Sequence, residues 1–174
     1  TKDNHMEAAQ AVYDWLIQHP HIDKDRLVIF GISFGSFFGA QAAAQLGDKV
    51  KGAALSFVCH EPGCYTIFNM AAPTFKLRFM FMAGYDNEEE FDEFISEFSL
   101  GPITDQIKCP ILVQGGQDEE LSPVECSEEF VNKLSVPKKL VFYEGERHAI
   151  GGGAAAYLGE NWYTMLADWC LDRV

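Results

Sequence analysis

Short apolar runs alternate with amphipathic segments along the chain. Four runs of branched and aromatic residues have the length and composition of buried strands. They cover residues 27–30, 53–58, 111–113 and 140–143. Segments with apolar residues at helical spacing flank these runs, at residues 5–18, 37–46, 123–134 and 161–171. The alternation predicts an α/β fold, a three-layer sandwich whose mostly parallel sheet is connected by right-handed crossovers.

One long stretch, from about residue 60 to 101, breaks this alternation. It is rich in aromatic residues and is interrupted by Pro62 and Pro73. We predict a helical cap inserted into a single domain that spans residues 1–174. Aromatic residues at helical spacing more often pack in a core than bind a ligand, so both roles stay open for each of them.

Charge and cysteine usage limit the partners and the compartment. The chain has 26 acidic and 13 basic residues, a formal charge of −13, which argues against nucleic acid and anionic membranes as partners. No apolar run reaches the roughly 18 residues of a membrane span, and the first residues lack a signal-peptide pattern. The five cysteines are odd in number and are not spaced as a disulfide framework. A reducing compartment, the cytoplasm, is therefore expected.

A nucleophile motif stands between the first predicted strand and the helix after it. The segment Gly31-Ile32-Ser33-Phe34-Gly35 matches G-x-S-x-G in the strand-turn-helix context that this motif requires. The turn is expected to be too crowded for side chains at Gly31 and Gly35. Ser33 would present its hydroxyl above the sheet edge. The backbone N–H of Phe34, at the start of the helix, would then donate to an oxyanion.

This arrangement resembles the α/β-hydrolase superfamily, whose triad runs in the order nucleophile, acid, histidine. Asp118 lies in the loop after the third strand and His148 in the loop after the fourth. Glu119 and Glu120 are neighbouring alternatives for the acid. The carboxyl ends of parallel strands meet at one sheet edge, so the three loops should converge there. The resemblance implies Ser33 as nucleophile, His148 as base and Asp118 as the acid that orients it.

No metal or cofactor is expected. Cys59, His60 and Cys64 lie near each other in the sequence, but a second pair of ligands is missing. His60 follows a strand and is a candidate for lining the site. The glycines after His148 lack the lysine and the preceding strand of a phosphate-binding loop.

Two further segments point to one branch of the superfamily. The segments 21–26 (HIDKDR) and 109–112 (CPIL) are similar to those of dipeptidyl- and acylaminoacyl-peptidase domains, dienelactone-hydrolase-like proteins and pseudooxynicotine-hydrolase-like proteins. The resemblance spans the chain and implies the C-terminal half of the fold. A complete member has further strands before this part, with a loop that supplies a second oxyanion donor. The strand before Ser33 is therefore expected at a sheet edge.

The resemblance implies a serine hydrolase that cleaves carboxylic ester or amide bonds through an acyl-enzyme. The substrate would be a small molecule or a short peptide. Two alternatives stay open: a carbon–carbon bond hydrolase of the same fold, and a non-catalytic binding protein that kept the fold. The sequence leaves open whether the protein forms a homo-oligomer.

Overall fold

Four parallel strands form one sheet in a computed structural model that describes residues 4–151 and 161–174. The strands are β1 (Ile29–Ile32), β2 (Ala53–Ser56), β3 (Ile111–Gly116) and β4 (Lys138–Tyr143). Their spatial order is β1-β2-β3-β4, and each strand pairs in parallel with the next. The predicted α/β fold with a parallel sheet is confirmed.

Within residues 4–151 and 161–174, seven α-helices connect and cover the strands. They are α1 (Asn4–Leu16), α2 (Phe34–Leu46), α3 (Tyr65–Met70), α4 (Thr74–Ala83), α5 (Glu88–Ser96), α6 (Val124–Lys133) and α7 (Trp162–Leu171). Three short 3₁₀ turns, at Gly47–Lys49, Pro62–Cys64 and Gly101–Gln106, complete the described elements. None of the helices that the structure describes has the length and apolar content needed to span a bilayer.

The side chains of the central strands alternate between two cores, because successive residues of a strand point to opposite faces. Leu55 of β2 and Val113 of β3 face the larger core, which α2, α6 and the insertion helices fill. Ala54 and Leu112 face the smaller core, where Trp169 of α7 covers them. Helices therefore lie on both faces of the sheet, as a wholly apolar strand requires.

The strand that precedes Ser33 lies at the edge of the sheet. β1 pairs with β2 on one side, and two of its side chains, Phe30 and Ile32, are exposed. The neighbouring α1 has no buried residue among those described. The expected edge position of this strand is confirmed.

The stretch between β2 and β3 forms α3, α4 and α5, where sequence patterns predicted a cap. Most of its aromatic rings pack on one another and on the α2 side of the sheet. Phe68 and Phe91 are buried with ring centroids 5.2 Å apart, whereas Phe81 is 85% exposed. For most of these rings, packing is therefore the role that the structure describes.

Candidate active site

Ser33 occupies a strained turn between β1 and α2. Its φ of 56° lies in the left-handed region, which residues other than glycine rarely adopt. Its backbone N–H donates to the Ser56 carbonyl at 2.9 Å, and its own carbonyl accepts from the Ser36 N–H at 2.8 Å. Both bonds hold the strained residue in place, as expected where strain serves a site.

The two motif glycines have different reasons to be there. A Cβ on Gly31 would lie 2.3 Å from the Gly35 carbonyl oxygen, a contact that no side chain tolerates. A Cβ on Gly35 would meet no atom within 4 Å. The crowding prediction therefore holds for Gly31 and is wrong for Gly35. The reason is that Gly35 lies in the first turn of α2 and faces the groove that α2 forms with α1.

His148 lies in the loop after β4 and contacts the predicted nucleophile. Its Nε2 atom lies 2.7 Å from Ser33 Oγ. Its Nδ1 atom lies 2.9 Å from each carboxylate oxygen of Glu119. The Glu119 side chain is fully buried, and the His148 side chain is 13% exposed. The structure thus brings together a hydroxyl, an imidazole and a carboxylate in the order that nucleophilic catalysis uses.

Asp118 does not make the contact that the sequence assigned to it. It is an exposed residue, and its backbone N–H donates to the Glu146 carbonyl at 2.9 Å. That bond ties the loop after β3 to the loop after β4. The next residue, Glu119, turns inward and accepts from the Leu121 N–H at 2.8 Å as well as from His148. The acid beside the histidine is therefore displaced by one position from the prediction.

Glu120, the third acid of the run, holds the backbone of the histidine loop. Its Oε2 atom accepts from the His148 N–H at 2.8 Å, and its Oε1 atom lies 3.5 Å from Arg147 Nε. Two adjacent carboxylates thus secure one histidine, Glu119 at the ring and Glu120 at the main chain. Sequence reasoning missed this division because no periodicity in a loop tells three neighbouring acids apart.

Phe34 begins α2, which is the position predicted for an oxyanion donor. The N–H groups in the first turn of a helix have no partner within that helix and point along its positive end. The Phe34 ring is buried, with the Phe79 and Phe38 rings 4.7 and 5.0 Å away. These contacts fix the ring, and the position of Phe34 as the first residue of α2 sets the direction of its N–H. The donor role itself stays a prediction.

Cys59 lies beneath the turn. Its backbone N–H donates to Ser36 Oγ at 3.0 Å, in the first turn of α2. Burial raises the pKa of the Cys59 thiol, so the thiolate form, which is the reactive one, is disfavoured.

His60 is buried rather than open to the candidate site. Its ring packs on Phe130 at 4.8 Å, and its two ring nitrogens have no hydrogen-bond partner among the described residues. Burial lowers the pKa of His60 to about 3. Within residues 4–151 and 161–174, no group of three or more His, Cys, Asp or Glu side chains is arranged to hold a metal ion.

Phe57 is a second strained residue at this edge, and sequence reasoning did not single it out. Its φ is 55°. Its ring centroid lies 6.2 Å from that of His148 and 4.7 Å from that of Trp162. A bulky residue in the left-handed region is a true outlier, so its position beside the histidine calls for an explanation.

Solved structures with this fold include hydrolases of several kinds. The 2,6-dihydroxy-pseudo-oxynicotine hydrolase has a TM-score of 0.78 and 19% identity, over 97% of this chain and 46% of that one. Dipeptidyl peptidase 4 of Porphyromonas gingivalis has a TM-score of 0.69 and 19% identity, over 99% and 22%. A puromycin-hydrolyzing peptidase of Mycobacterium tuberculosis has a TM-score of 0.64 and 26% identity, over 83% and 22%. The chain thus spans less than half the length of each of these three proteins.

The sequence comparisons give one family. A search of curated proteins gives no match. The family model of the prolyl oligopeptidases matches residues 1–174, the whole chain. The Ser33–His148 contact, the parallel sheet and this match agree, and the chain belongs to the prolyl oligopeptidase family, within the α/β-hydrolase fold.

Proposed function

We propose that this chain carries the catalytic centre of a serine hydrolase that cleaves carboxylic ester or amide bonds. One observation carries the proposal: Ser33 Oγ lies 2.7 Å from His148 Nε2, within the reach that a nucleophile and its base need. Membership of the prolyl oligopeptidase family supports it.

The first half of the reaction forms an acyl-enzyme. Ser33 Oγ attacks the substrate carbonyl carbon while His148 Nε2 takes the hydroxyl proton. The carbonyl oxygen becomes an oxyanion, to which the Phe34 N–H donates. His148 then gives its proton to the leaving alcohol or amine, and the bond to the leaving group breaks.

The second half releases the acid. A water molecule attacks the acyl carbon, and His148 Nε2 takes its proton. Ser33 leaves from the carbon and regains a proton from His148. Throughout, the Glu119 carboxylate accepts from the His148 Nδ1–H, which fixes the tautomer and stabilises the imidazolium. We assign the acid role to Glu119, because Asp118 is exposed and makes no side-chain bond to His148 among the described residues.

Esters and amides both fit this chemistry, and we propose a small molecule or a short peptide as substrate. Proteins of similar fold include an acetyl xylan esterase, a monoacylglycerol lipase and an acylaminoacyl peptidase. The same serine, histidine and acid serve either bond, and the leaving group is selected by the surrounding residues. The formal charge of −13 makes polyanionic substrates unfavourable.

A second candidate is hydrolysis of a carbon–carbon bond. The sequence resemblance to pseudooxynicotine-hydrolase-like proteins suggests this reaction, and the 2,6-dihydroxy-pseudo-oxynicotine hydrolase has a similar fold, at a TM-score of 0.78. The aromatic residues between β2 and β3 would suit an aromatic substrate. A non-catalytic binding role is less favoured, because a hydroxyl, an imidazole and a buried carboxylate lie in hydrogen-bonding contact.

We also propose that the protein works in the cytoplasm. All five cysteines are free thiols, and three of them, Cys59, Cys64 and Cys109, are buried. Free buried thiols are typical of proteins that stay in a reducing compartment.

The test is hydrolysis of p-nitrophenyl acetate and p-nitrophenyl butyrate, measured as released nitrophenolate. The Ser33→Ala variant should lose activity, whereas Ser127→Ala, at a buried serine on α6, should keep it. Equal activity of the Ser33→Ala variant and the unchanged chain would reject the proposal. A diketone substrate, assayed with the same variants, separates carbon–carbon cleavage from ester cleavage.

A further inference from the structure

A buried amide lies behind the candidate triad. The side chain of Gln114, on β3, is fully buried and has hydrogen bonds to three other elements. Its Oε1 atom accepts from Ser56 Oγ on β2 at 3.0 Å. Its Nε2 atom donates to the Tyr143 hydroxyl on β4 at 3.0 Å and to the Trp162 carbonyl on α7 at 3.3 Å. One side chain thus links both neighbouring strands and the last helix.

One arm of this network ends at the nucleophile. Ser56 lies directly across from Gln114 in the register of β2 and β3. The Ser56 carbonyl accepts from the Ser33 N–H at 2.9 Å, so the residue that binds Gln114 also anchors the strained turn. Because β1 is an edge strand, this bond is an important tether of the turn to the rest of the sheet.

The other arm ends at the histidine. The backbone carbonyl of Trp162 accepts from Gln114. Trp162 is 3% exposed, and its ring centroid lies 4.7 Å from that of Phe57. Phe57 in turn lies 6.2 Å from His148, between ring centroids. The N–H of Phe57 donates to the Gln114 carbonyl at 2.9 Å. The backbone and the side chain of Gln114 thus both fix the strained Phe57 that flanks the histidine.

We propose that Gln114 is a positioning residue that sets the distance between Ser33 and His148. It acts through Ser56 on one side and through Trp162 and Phe57 on the other, and it contacts neither reacting atom. The inference rests on the proposed hydrolase function. A misplacement of about 1 Å between reacting groups can lower a rate about 100-fold, so a rigid tie between the two loops has a direct effect on turnover. A buried polar network whose members all have partners supplies such rigidity.

The chain offers a matched control for a test. Gln41, on α2, is also a buried glutamine, and its Oε1 atom has no hydrogen-bond partner among the described residues. Gln114→Met and Gln41→Met make the same change of side chain, but only the first removes side-chain hydrogen bonds that join β2, β4 and α7 behind the two loops. Gln114→Met should lower kcat for p-nitrophenyl butyrate by about 10- to 100-fold and change KM by less than about threefold. Gln41→Met should leave both within about twofold.

A second readout does not depend on turnover. The proton on His148 Nδ1, held by Glu119, should give a far-downfield proton NMR signal that is lost in His148→Ala. We expect Gln114→Met to broaden or abolish this signal and Gln41→Met to retain it. If Gln114→Met does not fold, Ser56→Ala and Phe57→Leu each break one arm. Each should then lower kcat, and the fold-decrease in kcat of the double variant should be smaller than the product of the two single fold-decreases.

The outcomes separate the two proposals. An unchanged NMR signal and an unchanged kcat in Gln114→Met, or in Ser56→Ala and Phe57→Leu, would overturn the role of Gln114 even if its melting temperature fell. Activity that survives Ser33→Ala would instead reject the hydrolase function. In that case the NMR signal still tests whether Gln114 positions the histidine.

Discussion

The Nδ1 atom of His148 lies 2.9 Å from both carboxylate oxygens of Glu119, and the Glu119 side chain is fully buried. Asp118, one position earlier, is exposed. A buried carboxylate on the far side of the imidazole selects the tautomer whose Nε2 can take a proton from Ser33.

We expect Glu119→Gln to lower kcat by about 10³- to 10⁴-fold, because an amide cannot stabilise the imidazolium. Asp118→Asn should change kcat by less than about threefold. The measurement is hydrolysis of p-nitrophenyl butyrate by the two variants side by side. A large loss in Asp118→Asn with little loss in Glu119→Gln would return the acid role to Asp118.

The two motif glycines should respond in opposite ways to alanine. Gly31→Ala places a Cβ 2.3 Å from a backbone oxygen that cannot move without shifting the turn. We expect it to reduce the free energy of unfolding by about 1–3 kcal/mol. Gly35→Ala meets open space within α2 and should raise that free energy by about 0.5–1 kcal/mol. Urea unfolding followed by circular dichroism gives both values, and equal destabilisation by the two substitutions would contradict the packing described.

His60 should make stability depend on pH. Its pKa is lowered to about 3 by burial, from an ordinary 6.5, so the unfolded chain binds a proton at a higher pH than the folded one. The folded state therefore loses stability as the pH falls from 6.5 towards 3, by about 1.4 kcal/mol per pH unit. Glu129 and Lys133 line the small cavity beside His60 and pair with each other at 2.5 Å, and Glu61 is the next residue in the chain.

The check on this prediction is urea unfolding between pH 4 and pH 7. His60→Leu should remove the part of the pH dependence of the free energy of unfolding that comes from His60. His19→Leu, at an exposed histidine, should retain that part. If the slopes of His60→Leu and the unchanged chain coincide, His60 does not carry the effect.

Sequence patterns were sufficient for the parts of the site that regular structure positions. β1 and β3 are apolar runs, and Ser33 follows β1 in a motif with a known backbone shape. The closeness of His148 to Ser33 could be predicted because His148 lies in the loop that follows β4, at the edge where parallel strands end. Gly31 was found for the right reason, since its contact with the turn follows from the shape of the turn itself.

Other parts of the site depend on tertiary contacts that no local pattern carries. Of three adjacent acids, Glu119 meets the His148 ring and Glu120 its backbone, and these contacts join two loops that are separated in the sequence. The role proposed for Gln114 depends on Trp162 and Tyr143, which reach it only after folding. Glycine at 35 looked necessary because the motif contains it, whereas the space around it is open.

The most direct test of the central claim, that Ser33 is a nucleophile activated by His148, is reaction with a fluorophosphonate probe followed by mass spectrometry of the digested protein. Ser33 Oγ would attack phosphorus, fluoride would leave, and His148 would take the hydroxyl proton. We predict a single adduct on the peptide that contains Ser33, absent from Ser33→Ala and formed far more slowly in His148→Ala. An adduct on another residue that persists in Ser33→Ala, or no adduct at all, would contradict the account.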